Sequence, residues 1–296
     1  MRLLFFASLS LAITSTLPAQ TTTVAERLGL PANAKLLILH ADDLGVSHSV
    51  NVASFDALDK GAISSASIMM PTPWITEVAA YAKAHPNADL GLHLTLTSEW
   101  ETYRWGSVAS KDAVPSLHDL DGTFPRDTKT VVENAKVGEA EREIRAQIDR
   151  ALAVGIRPTH LDSHMGSLFA RPDLMQMYVK VAHEHRLPFL STLASSGDVQ
   201  LNTVIVANPG IAPGDWLKFY VDAVAGLKPG VSEIIVHLGN DDAELRAVMV
   251  DHDAYGSAWR QRDRDVVHSA AFKKALKDNN VTLVTWKDLA KATLLP

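Results

Sequence analysis

Short apolar runs alternate with amphipathic segments along most of the chain. The runs have the length of buried strands, and the segments between them repeat apolar residues at helical spacing. Strands are predicted at 36–41, 64–70, 90–96, 159–162, 187–190, 203–207, 233–238 and 281–285. Helices are predicted at 50–60, 75–85 and 138–153, and a fourth begins at Arg171 and Pro172. This alternation predicts an α/β fold with a mainly parallel sheet.

The first predicted strand ends in two adjacent carboxylates, Asp42 and Asp43. In open α/β sheets and α/β barrels, the chemistry lies at the carboxyl ends of the strands, where rigid strand ends meet loops that shape a pocket. These two residues are therefore candidates for an active site. The alternative is that one aspartate caps the following helix and the other is solvated.

Histidines lie at three further predicted strand ends. His93 and His237 each fall in an apolar run, while His160, Asp162 and His164 are spaced by two. On a strand, residues at that spacing point to one face, and three buried ionisable groups are costly unless they are paired or bind a cation. Taken singly, histidines such as His93 and His237 in apolar runs are more often hydrogen-bonded core residues than ligands. A solvated edge strand is the alternative for the third stretch.

Carboxylate and imidazole side chains from separate strand ends suit a divalent metal such as Zn²⁺ with one position open for water. The spacing does not choose among Zn²⁺, Mg²⁺, Mn²⁺ and Co²⁺, although two histidines and one aspartate favour a transition metal. These residues by themselves predict a metal-assisted hydrolase and leave the reaction class open.

The N-terminal stretch has the pattern of a secretory signal. Arg2 precedes an apolar segment at 3–13, and small and polar residues follow up to Gln20. The apolar segment is shorter than a membrane span. We expect residues 1–19 to be removed, the protein to be exported to the periplasm or the extracellular space, and residues 20–296 to form one domain. The alternative is a buried N-terminal helix.

The composition of the chain limits the classes of partner that the protein is expected to bind. The chain has no cysteine, a net charge of −6 and a pI of about 6.0. It therefore forms no disulfides, and it lacks the excess of positive charge that nucleic-acid binding requires. No other stretch has the roughly 18 apolar residues of a stable membrane span. A neutral or weakly polar small substrate is expected, and the sequence leaves the oligomeric state open, a homo-oligomer included.

The least regular segment is 98–137, which carries Trp100, Tyr103 and Trp105 near its start. Long irregular loops in compact domains are often functional, so this segment is expected to cover the pocket. Its aromatic rings either stack on a sugar or pack the loop onto the barrel.

Four motifs together resemble the YdjC/ChbG-type carbohydrate deacetylases, and they occur in the same order as in that family. They are HADDLGVSHSVN at 40–51, GLHLTLT at 91–97, PTHLDSH at 158–164 and VHLGNDDAELR at 236–246. The resemblance implies a single distorted TIM-like (β/α) barrel. It also implies removal of N-acetyl groups from an amino-sugar oligosaccharide, such as a chito-oligosaccharide, with one divalent metal ion, Zn²⁺ or Mg²⁺ being favoured.

Carried over by position, the resemblance makes Asp43, His93 and His164 the metal ligands and Asp42 the general base. His160 and Asp162 are then expected to orient the ligands from behind. For Asp42 and Asp43 both to reach the site, the backbone must turn at the end of the strand.

The departing amine is expected to take a proton from His237, with Asp241 or Asp242 holding that imidazole protonated. Three positions beside the site differ from residues common in the family, namely His40 in place of Asn, Gly166 in place of His and Leu238 in place of Pro. These differences bear on the substrate more than on the metal.

Two other functions are consistent with the sequence. One is a metal hydrolase of the same fold that acts on another amide or ester. The other is a non-enzymatic glycan-binding protein, which would bind sugar without releasing acetate.

Overall fold

The computed structural model describes residues 22–191 and 198–293, so the predicted signal sequence at 1–19 lies outside the described residues. In the described part, seven strands form one sheet whose paired neighbours are all parallel. The strands are β1 (Lys35–Leu44), β2 (Ser65–Ile68), β3 (Leu90–Leu94), β4 (Leu161–Ser163), β5 (Thr203–Val206), β6 (Gly230–Val236) and β7 (Val281–Leu283). Their order is β4-β3-β2-β1-β6-β5, and β7 pairs with the first residues of β1.

Helices connect most of the strands and pack against the sheet. They are α1 (Val24–Arg27), α2 (His48–Asp59), α3 (Ile75–Ala84), α4 (Thr128–Asn134), α5 (Val137–Ala153), α6 (Pro172–His185), α7 (Trp216–Gly226), α8 (Ala243–Val248), α9 (Ser257–His268), α10 (Ala270–Asp278) and α11 (Trp286–Ala292). Short 3-10 turns occur at Lys111–Ala113, Pro115–Leu117, His164–Gly166 and Pro213–Asp215. No helix within residues 22–191 and 198–293 is long and apolar enough to cross a membrane.

The α/β prediction is confirmed: the parallel sheet curls into a distorted half-barrel. The four predicted helices correspond to α2, α3, α5 and α6. One strand prediction was wrong, because the run at 187–190 contributes only a single bridge, between Phe189 and Leu161. Pro188 has no amide hydrogen to donate, so this run cannot form a continuous ladder.

Alternate residues of β1 face two different environments. Leu36 and Ile38 belong to a small apolar cluster near the start of the strand, while Leu37 and Leu39, which alternate with them, pack into the main core. His40 and Asp42 continue the series of Leu36 and Ile38, since side chains alternate along a strand. The inner face of the curled sheet is therefore apolar at the start of β1 and polar at its carboxyl end, where the candidate site lies.

Candidate active site

A bulge at the end of β1 brings both aspartates to the inner face. The pairing register between β1 and β2 shifts between Ala41 and Leu44, and Asp43 has a φ of 72°. Gly45 follows with a φ of 92°, and a Cβ there would lie 2.5 Å from Ile75 Cδ1. On a regular strand Asp43 would face away from Asp42, so the left-handed residue supplies the turn that both side chains require.

Asp43, His93 and His164 form a compact group of possible metal ligands, and all three are at least 96 % buried. Asp43 Oδ1 lies 3.5 Å from His93 Nε2 and 3.3 Å from His164 Nδ1. Donor atoms placed about 2.1 Å from a tetrahedral ion are about 3.4 Å apart. The three side chains thus have the separation of ligands around one small cation.

The two oxygens of Asp43 have different environments. Oδ2 accepts a hydrogen bond of 2.7 Å from Arg260 Nη2, and Arg260 is itself buried. Oδ1 is buried without a hydrogen-bond partner. Burial raises the pKa of Asp43, but the guanidinium of Arg260 and the neighbouring imidazole of His164 outweigh that effect and hold the pKa well below its usual value. An ionised oxygen without a partner, facing two imidazole nitrogens, fits a metal ligand.

A carboxylate lies behind each of the two imidazoles. His93 Nδ1 is 2.6 Å from Asp162 Oδ1, and His164 Nε2 is 3.0 Å from Glu99 Oε2. Asp162 therefore lies behind His93, a candidate ligand, and its predicted role of orienting that ring stays a prediction. Glu99 was not predicted, and its only signal in the sequence is an acidic residue two positions after the second motif, GLHLTLT.

Asp42 presents one oxygen to the site and keeps the other in a buried network. Oδ2 lies 3.6 Å from His93 Nε2 and 3.7 Å from His237 Nε2. Oδ1 lies 3.2 Å from His40 Nε2 and 3.5 Å from Ser67 Oγ. Burial raises the pKa of Asp42, but the charge of His93 and the hydrogen bond from His40 outweigh it and lower the pKa. Asp42 is thus an ionised carboxylate beside the ligand group, with an oxygen directed into the site.

His40 lies at the centre of the polar interior. Its Nε2 is 3.2 Å from Asp42 and 3.1 Å from Asp162, and its Nδ1 is 3.0 Å from Ser65 Oγ. Burial lowers the pKa of His40, but the hydrogen bonds with Asp162 and Asp42 outweigh it and raise the pKa well above its usual value. The imidazolium compensates two buried carboxylates at once, which an uncharged side chain such as asparagine could not do.

His237 reaches the site, but its expected partners do not hold it. Asp242 caps α8 and accepts a hydrogen bond from Ser49, while Asp241 pairs with Arg246. The prediction that one of them keeps His237 protonated was therefore wrong, because the chain leaves β6 and carries both carboxylates towards α8.

The contacts of His237 come from other residues. Its backbone N–H donates to Asp263 Oδ2 over 2.9 Å, and its ring meets Tyr255 edge-on at 4.9 Å. Burial lowers the pKa of His237 to about 4, against the charges of Asp43 and Asp42. The ring is consequently neutral at neutral pH.

His160 lies too deep to orient a ligand. Its Nδ1 is 3.0 Å from Thr159 Oγ1, its Nε2 has no hydrogen-bond partner, and its ring stacks on Trp286 at 5.3 Å. A Cβ on Gly91 would lie 2.3 Å from the ring, so glycine provides the space for it. Burial lowers the pKa of His160 to about 4. The predicted contact with the ligands is absent, although His160 and Asp162 do face the same interior.

The site opens into a pocket of about 560 Å³, within the usual range for small-molecule sites. Its lining combines the polar side chains of Asp42, Asp43, His93, Glu99, His164 and His237 with the apolar side chains of Met165, Phe169, Leu190, Val204 and Val206.

The irregular loop contributes Glu99 and Trp100 to the wall of the pocket. Tyr103 instead donates to Val46 O over 2.7 Å, and the indole N–H of Trp105 donates to Thr97 O over 2.8 Å. These two aromatic side chains therefore pack the loop onto the barrel, which was the alternative to stacking on a sugar.

A parallel α/β half-barrel with carboxylates and imidazoles at the carboxyl ends of its strands is an architecture typical of α/β-barrel enzymes. Residues 36–278 match the YdjC-like protein family, and the chain belongs to that family. The resemblance found in the sequence motifs is thereby confirmed.

Two curated relatives have the name carbohydrate deacetylase. The protein from Thermus thermophilus is 35% identical over 240 residues, which cover 75% of this chain and 84% of the relative. The protein from Brevibacillus brevis is 31% identical over 265 residues, covering 86% and 99%. A crystal structure from Enterococcus faecalis, described as a candidate cellobiose-phosphate cleavage protein, superposes with a TM-score of 0.74. At 24% identity, covering 86% of this chain and 99% of that one, it supports the fold.

Proposed function

We propose that this protein is a metal-dependent carbohydrate deacetylase that removes the N-acetyl group from an amino-sugar oligosaccharide of the chito-oligosaccharide kind. The observation that carries the proposal is the ligand-like group of Asp43, His93 and His164 with a second ionised carboxylate, Asp42, beside it. The names of the two relatives support deacetylation of a carbohydrate.

Asp43 Oδ1, His93 Nε2 and His164 Nδ1 are the atoms that would hold the metal. A divalent ion bound there would acidify a water molecule and polarise the acetyl carbonyl. Two imidazoles and one carboxylate favour Zn²⁺ over Mg²⁺. The apolar residues that line the pocket suit the acetyl methyl group and the C–H face of a sugar ring.

Asp42 acts as the general base in this proposal. Its Oδ2 is directed into the site and takes the proton that the attacking water loses. The amine is a poor leaving group until it is protonated. Because His237 is neutral at the start, the proton that it delivers comes from Asp42 Oδ2, 3.7 Å from its Nε2. Asp42 and His237 thus pass one proton from water to the amine.

The decisive experiment measures acetate release from a panel of N-acetylated chito-oligosaccharides, with chelated protein and after addition of Zn²⁺ or Mg²⁺. We expect release that depends on the metal. Glycan binding without release under any of these conditions would support the non-enzymatic alternative. Hydrolysis only of unrelated amides or esters would support a different substrate.

Two substitutions test the proton path. Asp42→Asn should retain metal and lose roughly 10²-fold or more in kcat, whereas Asp241→Asn, on the surface ion pair with Arg246, should be nearly unchanged. His237→Ala should slow amide substrates more than activated esters, whose leaving groups need no proton. Equal losses on both substrates would remove His237 from the path.

We also propose that the protein acts outside the cytoplasm. The proposal is supported by the signal-like pattern of residues 1–19.

A further inference from the structure

Glu99 extends from the loop after β3 into the ligand group. Its side chain is only 15% exposed, and Oε2 lies 3.0 Å from His164 Nε2. The other ring nitrogen of His164, Nδ1, faces Asp43 Oδ1 at 3.3 Å. The imidazole is thus held between two carboxylates, one on each nitrogen.

His93 has the same arrangement with its two nitrogens exchanged. Its Nδ1 lies 2.6 Å from Asp162 and its Nε2 lies 3.5 Å from Asp43. A ring nitrogen that keeps its hydrogen donates it to a carboxylate, and the lone pair of the other nitrogen is then free for a cation. In each ring the nitrogen on the other side from its outer carboxylate lies within 3.5 Å of Asp43 Oδ1, so these two nitrogens and that oxygen are close enough to bind one cation.

The backbone around Glu99 is held firmly. The amide of Ser98 donates to Pro125 O over 2.8 Å, and its hydroxyl accepts from the amide of Trp105 over 3.0 Å. Trp100, the next residue along the chain, is 1% exposed. The carboxylate is therefore presented from a fixed position rather than from a freely moving loop tip.

We propose that Glu99 is a positioning residue that fixes the ring of His164 so that Nδ1 binds the metal, and that it thereby strengthens metal binding. This inference rests on the metal site of the proposed function. Removing an outer carboxylate that orients a metal-bound histidine costs roughly 10- to 100-fold in metal affinity.

Glu101 offers a matched control two residues further along the same loop. Its side chain is 59% exposed and pairs with Arg126 instead of a site residue. Dissociation constants for Zn²⁺ and Co²⁺ are measured by competition with a chromophoric chelator. We expect Glu99→Gln to bind both metals roughly 10- to 100-fold more weakly than wild type, Glu99→Asp to recover part of that loss, and Glu101→Gln to match wild type.

Absorption of the Co²⁺-saturated proteins separates positioning from direct ligation. At saturation, Glu99→Gln should show the same visible intensity as wild type, because the ligand atoms are unchanged. An altered spectrum would make Glu99 a ligand and overturn the proposal. The proposal is also overturned if Glu99→Gln binds metal as tightly as Glu101→Gln. It is overturned equally if Glu99→Asp recovers none of the lost metal affinity and both Glu99 variants, free of metal, melt below wild type.

A different outcome of the same measurement would refute the proposed function. If wild-type protein binds neither metal, the metal-dependent hydrolase itself is refuted. If wild type binds metal and Glu99→Gln binds it equally well, only the role of Glu99 is refuted.

Discussion

Replacing Arg260 by Met tests the electrostatics of the site without any knowledge of the substrate. Arg260 lies on α9, is 1% exposed and donates to Asp43 Oδ2 over 2.7 Å. Its Nε also donates to Tyr255 O over 2.8 Å. Methionine has a similar length and no charge, so Arg260→Met leaves Asp43 as a buried carboxylate without its cation.

The expected loss of stability is large. Breaking a buried ion pair by removing one partner costs about 3–5 kcal/mol. Each kcal/mol lowers Tm by roughly 2–4 °C in chains of 150–250 residues, so metal-free Arg260→Met should melt roughly 6–20 °C below wild type. A divalent metal at Asp43 Oδ1 supplies the missing positive charge, so the difference should shrink when both proteins are saturated with metal.

Thermal unfolding with chelator and with saturating Zn²⁺ is the assay, and Arg246→Met is the matched control. Arg246 makes the same kind of pair with Asp241, but its side chain is 63% exposed, so its loss should change Tm little. The reasoning is refuted if the metal-free Arg260 variant melts no lower than the Arg246 variant. It is refuted equally if saturating metal leaves the difference between Arg260→Met and wild type unchanged.

Three further predictions concern ligands, pH and processing. His93→Ala or His164→Ala should lower the metal content sharply by elemental analysis, whereas His183→Ala, on α6, should not; full occupancy in both ligand variants would contradict the assignment. Burial raises the pKa of Glu233 to about 7. The folded state therefore holds a proton that the unfolded state releases at lower pH, and stability falls as pH rises from about 4.5 to 7. At about 1.4 kcal/mol per pKa unit, the free energy of unfolding of Glu233→Gln relative to wild type should rise by about 3 kcal/mol across that pH range. Chemical unfolding of chelated protein measures this difference, and a difference independent of pH would contradict the prediction. N-terminal sequencing of the exported protein should find a start near Gln20, and an intact Met1 would refute cleavage.

The spacing by two of His160, Asp162 and His164 predicted one shared face, because side chains alternate along a strand. In the structure β4 ends at Ser163, and His164 begins the 3-10 turn that follows it. The strand prediction failed for 187–190, where Pro188 prevents a continuous ladder.

The role of each polar residue depended on contacts that no local pattern contains. Asp242 follows His237 closely in the sequence, yet it caps α8 and does not reach that ring. Asp43 was expected to need a turn, but only the structure shows that Asp43 itself adopts the left-handed conformation that provides it. Proximity along the chain was therefore a poor guide to partners at this site.

Local patterns along the chain were sufficient to predict the alternation of strands and helices, to identify the strand ends that carry carboxylates and imidazoles, and to reveal the order of the family motifs. These properties are encoded locally, in periodicity and spacing. Two contacts became visible only in the folded chain: Glu99 meets His164 across 65 residues, and Arg260 meets Asp43 across 217. Such pairs depend on how the sheet curls and on which loop and helix pack over its carboxyl edge, because a buried charge is stable only where the folded chain brings it a partner.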